Sequence, residues 1–304
     1  MQHFIEQFVA FGLIAAFGYL LSKKKVLSKD TANQMSNILI LYIIPLLIFQ
    51  SFLRPYDAQE AVTIIVLLAF TAVVQGVFML LARILFGPNH RMERYATIFN
   101  NKAFVGLPIA AAIFGPSSAF YVAPSIVMSN VLLVLYGMPL LSGKAHTGRL
   151  DLMAFLRKPV VLAFLLGIAV YLLQIPVPQV IMQPIQGITS INSPLAMILI
   201  GSFIAEKPLG DLLRDRRVWK VSFVRLIVFP LVAIGLLVLL PYGTSELKIV
   251  TAIAWSCPTA MNLALLASMF DLDTYYGSQI VVSTSIFCAF TIPMILIVAQ
   301  FVFQ

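Results

Sequence analysis

Two short segments hold most of the groups that could do chemistry inside an otherwise apolar chain. The first, running from Phe99 to Pro108, carries Asn100, Asn101 and Lys102 ahead of Gly106 and Pro108. The second, running from Ala254 to Asn262, carries Trp255, Ser256, Pro258, Thr259 and Asn262. Carboxamides and hydroxyls at such positions can hydrogen-bond a carboxylate, though the same groups also tie membrane helices together. Proline lacks an N–H and clashes with the preceding turn, so Pro108 and Pro258 predict helices broken at membrane depth, with freed backbone groups that lipid tolerates only around a cavity. The N-terminus of a half-helix favours an anion, and its free carbonyls favour a cation.

Lys102 lies eight residues beyond Arg94, which places its Cα roughly 12 Å into the span. A central lysine costs about 2.5–3.5 kcal/mol to insert, so it should face a cavity, pair with oxygens or titrate, unless it snorkels to the interface. Arg225, nearer its helix start, reads as a snorkelling residue. Mid-span acids are missing, since Glu6 and Glu206 lie near helix ends and the remaining acids lie in loops or at their edges. A carboxylate-based proton or sodium carrier is therefore not indicated. This leaves Lys102 to titrate or backbone carbonyls to hold sodium, with coupling to H+ or Na+ open and no resident cofactor or metal expected.

The elements that must position these groups are membrane helices. Of 304 residues, 61% are hydrophobic and 11% charged, and mean hydropathy is +0.98, well above the roughly 45–50% apolar usage of soluble domains. Apolar runs of about 20 residues recur throughout, the length a helix needs to cross the hydrocarbon. Membrane β-barrel alternation is absent. The fold class is thus an all-α membrane protein, with ten helices expected at 4–21, 36–53, 60–85, 95–114, 118–141, 159–175, 184–205, 218–240, 247–269 and 276–302. Lys23, Lys24 and Lys25 follow the first apolar run instead of preceding it, which argues for a retained span over a signal peptide.

The positive charges sort by loop. Odd loops hold Lys23, Lys24, Lys25, Lys29, Arg83, Arg91, Arg94, Lys144, Arg149, Arg157, Lys158, Lys207, Arg214, Arg216, Arg217 and Lys220, whereas even loops hold Arg54 and Lys248. That asymmetry puts odd loops in the cytoplasm and both termini outside, in a multi-pass protein of an inner-membrane type. It accounts for the net charge of +8 without nucleic acid, for which the chain has no basic soluble module. Cys257 and Cys288 lie in apolar segments and read as small packing residues.

Shifting the sequence by about 155 residues brings Arg94–Thr97 onto Lys248–Thr251, Val127–Ser129 onto Val282–Thr284 and Met138-Pro139 onto Ile292-Pro293. A first five-helix repeat over 1–141, a linker over 142–158 and a second repeat over 159–304 follow. Five spans per repeat invert the second, an arrangement of alternating-access transporters with a midplane site. An enzyme is not expected: neither an H-E-x-x-H helix nor mid-span aspartates are present, and the three histidines lie in or near loops. A receptor would not need matched broken helices.

With these residues the chain resembles the auxin efflux carrier family, whose bacterial members include malate and malonate permeases. The resemblance covers essentially the whole chain, through FGYLLSKKKVLS and YIIPLLIF, then NNKAFVGLPIAAAIFG, then CPTAMNLALLASMFDLD and STSIFCAFTIP. The spacing from Asn101 to Gly106 and Pro108 is similar to the family's Asn-x-x-x-x-Gly-x-Pro crossover motif. The resemblance implies that Asn101 contacts a substrate carboxylate, that Pro258 marks a second crossing, and that helices one, two, six and seven form a support or homodimer face. It implies a small carboxylate such as malate as substrate, or an amphipathic weak acid of the auxin type. Plant members have Pro in place of Asn100 and commonly a small or hydroxyl residue in place of Lys102, so Lys102 would add a positive charge suited to a dicarboxylate or standing in for a bound cation.

Overall fold

The computed structural model describes residues 2–143, 152–205 and 215–304. Lys144, Arg149, Lys207 and Arg214 of the basic loops, Glu206, and part of the 142–158 linker lie outside the described residues. Within them the chain is helical, apart from one isolated antiparallel bridge between Asn100 and Thr259. Lipid offers the backbone no hydrogen bonds, so apolar runs rich in β-branched residues still close every bond within a helix.

Among the described residues six helices are long and apolar enough to cross a membrane: α2 (Lys29–Ser51), α3 (Ala58–Phe86), α6 (Pro116–Ser142), α8 (Gln179–Ala205), α9 (Arg216–Leu239) and α12 (Thr274–Phe303). α1 (Gln2–Lys23) and α7 (Pro159–Leu173) are further apolar helices. Two expected spans are each divided. The one at 95–114 becomes α4 (Arg91–Ile98) and α5 (Lys102–Phe114), and the one at 247–269 becomes α10 (Ser245–Trp255) and α11 (Leu263–Met269). Ile65, Ile84, Leu239 and Phe301 point outward from their helices, as side chains facing hydrocarbon do. α2 begins seven residues before the expected 36, because Ser28 caps it through a bond from the Thr31 N–H at 3.1 Å.

Four prolines are accommodated by the same local device. Pro45, Pro108, Pro139 and Pro230 each follow by two residues a five-residue π-helical turn, at Leu39–Ile43, Lys102–Gly106, Leu133–Gly137 and Val224–Val228. In three of them the amide just before the proline bonds back five residues, as Ile44 does to the Leu39 carbonyl. Widening the turn relieves the clash between the proline ring and the carbonyl four residues earlier, so the helix continues.

The chain forms two compact units, one of Met1–Leu68, Ala103–Val127 and Leu152–Glu206, the other of Ala69–Lys102, Met128–Asp151 and Lys207–Gln304. Each draws on both halves of the sequence. In the first, α1 lies backbone to backbone on α8 through Gly18 and Gly201. Phe52 meets Phe120, Phe164 and Tyr171 at ring separations of 5.0, 5.5 and 6.4 Å. The second unit is centred on Phe78, which contacts Phe229 at 4.1 Å and the edge of Trp255 at 5.3 Å.

Candidate functional site

The two divided helices meet inside the second unit. Asn101 N–H donates to the Pro258 carbonyl at 2.8 Å, and Ala260 N–H donates to the Phe99 carbonyl at 3.0 Å. The extended residues Phe99–Asn101 and Cys257–Ala260 thus satisfy one another as two strands would. Side chains complete the exchange: Asn100 Nδ2 donates to the Ala254 carbonyl at 2.7 Å and Thr259 Oγ1 to the Ala96 carbonyl at 2.9 Å. Each break therefore caps the helix end at the other, satisfying one of the orphan carbonyls that each helix terminus leaves in a dry interior.

The break in the fourth expected span falls at Phe99–Asn101, not at Gly106 and Pro108. Gly106 closes the π turn and Pro108 sits in the first turn of regular helix beyond it, where a proline removes no needed N–H. Both are buried, and the Pro108 carbonyl accepts from Ser193 Oγ at 2.8 Å. They belong to the first unit, whereas Asn100, Asn101, Lys102, Ser256, Pro258, Thr259 and Asn262 belong to the second. In the second divided span the last helical residue is Trp255, and Ser256 Oγ turns back on the Ala252 carbonyl at 2.7 Å.

Lys102 neither snorkels nor faces an acid. It is 2% exposed, and its Nζ bonds Ser129 Oγ at 2.8 Å and lies 3.4 Å from the Trp255 ring centroid. A hydroxyl and a ring face supply dipole and quadrupole but no opposing charge. Among the described residues Asn101 has a different standing: its side chain is partly exposed and bonds no protein group. Asn100 Oδ1 is buried and unpartnered. Asn262 accepts from Tyr95 Oη at 2.9 Å, and Thr259 N–H donates to Thr284 Oγ1 at 3.3 Å.

Arg225 overturns its sequence reading. It is fully buried, not directed to an interface, and donates from Nε to the Cys257 carbonyl at 3.0 Å, from Nη1 to the Thr97 carbonyl at 2.8 Å and from Nη2 to the Trp255 carbonyl. Position along a helix could not reveal this, because the acceptors come from two other chain segments. Ser129, Thr284 and Tyr95 were missed for the same reason. Cys257 and Cys288 are buried and free. Among the described residues no cluster of His, Cys, Asp and Glu could hold a metal ion.

Apolar helices in this number define a multi-pass membrane protein, and the comparisons place it among transport proteins: the profile of a family described as "Membrane transport protein" matches residues 3–150 and again 147–296. The chain belongs to that family, the auxin efflux carrier family. It is 28% identical over 292 residues to an "Uncharacterized transporter" of Methanothermobacter thermautotrophicus, a match spanning 93% of this chain and 94% of that protein.

Proposed function

We propose that the protein is a secondary carrier of a small organic anion, a dicarboxylate such as malate, working by alternating access around the two joined breaks. The observation that carries this reading is Asn101: a partly exposed carboxamide with no protein partner among the described residues, placed immediately before the N-terminus of α5 and beside Lys102. A carboxylate there would accept from the amide and lie in the positive field of a helix start. Asn100, Ser256, Pro258, Thr259 and Asn262 shape the junction around it, and Gly106 and Pro108 set the path of the helix beyond.

Ten spans in two inverted five-helix repeats are the architecture proposed. The twofold family match and the reciprocal caps of Asn100 and Thr259 support it. The basic-loop asymmetry supports an inner-membrane location with both termini outside, and a homodimer through the face built from helices one, two, six and seven is part of the proposal.

Counterflow of labelled malate into proteoliposomes preloaded with unlabelled malate tests the reading. Asn101→Ala should cut the initial rate about tenfold, the scale of one lost hydrogen bond to a charged group, with an unchanged thermal midpoint. Parent protein that exchanges auxin-type weak acids but no dicarboxylate would move the substrate to that class, and ligand-dependent stabilisation without flux would make the protein a receptor.

A further inference from the structure

Breaking two helices inside a membrane leaves carbonyls whose usual N–H partners have gone elsewhere. The Thr97 carbonyl would pair with Asn101 N–H in a continuous helix, but that N–H is committed to Pro258. The Trp255 and Cys257 carbonyls lose their partners in the same way at the end of α10. The Thr97 and Trp255 oxygens lie at helix C-termini, where aligned peptide dipoles concentrate negative potential, the Cys257 oxygen lies two residues past the second, and all three converge on one guanidinium. An all-oxygen set of backbone carbonyls is the kind of site that holds a small monovalent cation in membrane proteins.

We propose that Arg225 is a built-in cation: its guanidinium occupies a three-carbonyl site that a small monovalent cation would otherwise fill, so the joined breaks hold together without a bound metal ion. Three features carry it. The guanidinium is fully buried. Among the described residues no carboxylate bonds it, so its charge is balanced by carbonyl oxygens, with the Phe78 ring face 5.8 Å away. Its Nε, Nη1 and Nη2 each serve a different acceptor, a planar three-way fork that lysine cannot reproduce. Arg225 is thus a positioning residue, fixing Phe99–Asn101 against Cys257–Ala260. It also provides permanently, beside Lys102, the positive charge that a co-bound sodium ion would bring to an anionic substrate.

The inference deepens the carrier reading and rests on it for the role of the charge, but a stability measurement tests the cation site on its own. Full-length purified parent and Arg225→Ala would be melted in detergent with sodium, guanidinium or choline chloride at equal, low ionic strength. The parent midpoint should be the same in all three salts. Arg225→Ala should melt lower in choline and recover part of the loss with about 10 mM guanidinium or sodium, as mass action on a newly vacant site requires. In proteoliposomes the variant's counterflow should fall about tenfold or more and return in part with guanidinium, as leaving buried carbonyls unpaired and then re-pairing them predicts. A variant midpoint equal in all three salts would overturn the proposal, and so would a parent stabilised by sodium over choline. If Arg225→Ala yields no folded protein, Arg225→Gln, which keeps N–H donors but not the charge, is carried through the same salts with the same criteria. Absence of counterflow by the parent would remove the carrier reading and leave the midpoints to judge the cation site.

Discussion

Replacing Lys102 by Met should lower dicarboxylate counterflow about a hundredfold while leaving the thermal midpoint unchanged or raised. Lys102 meets a hydroxyl and a ring face and no carboxylate among the described residues, and its neighbour Asn101 is partly exposed. A carboxylate about 6 Å from the charge, at an effective dielectric constant near 20, gains about 3 kcal/mol, which is the hundredfold. Methionine keeps the length and apolar stem over Trp255, and exchanging a buried charge for an apolar side chain of similar size is often neutral or stabilising. Ser129→Ala should cost much less, about threefold, because the ammonium keeps its place over the ring. Rates for Lys102→Met within twofold of the parent, measured from about pH 5.5 to 8.5, would end the assignment of this charge to substrate attraction.

Gly201→Ala should be among the most damaging single changes to folding, at about 3 kcal/mol. A Cβ at Gly201 would stand 1.8 Å from the Ala15 carbonyl oxygen and 2.8 Å from Tyr19 N, and one at Gly18 would stand 2.1 Å from the Ile198 oxygen. These contacts are backbone on both sides, so no side chain can move aside and α1 must part from α8. Between helices in lipid, close approach at small residues supplies the packing that the hydrophobic effect does not. Gly12→Ala, on α1, is the control: a Cβ there meets nothing within 4 Å, and helix propensity alone predicts a gain of up to about 1 kcal/mol. Melting both variants in detergent decides it, and equal midpoints would show that α1 and α8 are not held by this contact.

Much of the architecture was legible because hydrocarbon thickness and hydropathy act on one dimension of the chain. The helices at 60–85, 118–141, 218–240 and 276–302 were found within a few residues of α3, α6, α9 and α12. The two spans carrying polar residues were recognised as interrupted from Gly106 and Pro108 in the one and Pro258 in the other, since proline removes an N–H and clashes with the preceding turn. Where the first interruption falls was not legible. Pro108 drew the break toward itself, yet a π turn at Lys102–Gly106 absorbs the proline, and the chain opens instead at Phe99–Asn101.

By itself the sequence determined the solvent this protein folds in, the helical class, the family, and the two segments where polar groups gather, because each depends on composition or on spacing along one chain. Only the tertiary structure decided how those segments satisfy one another. Thr97, Trp255 and Cys257 become a single site through the guanidinium of Arg225, a residue that in sequence is 128 positions from one acceptor and 30 and 32 from the others. A carbonyl freed by a broken helix must be met by whatever donor the fold brings to it, and which donor arrives is a matter of distance in space, on which local propensity and hydropathy are silent.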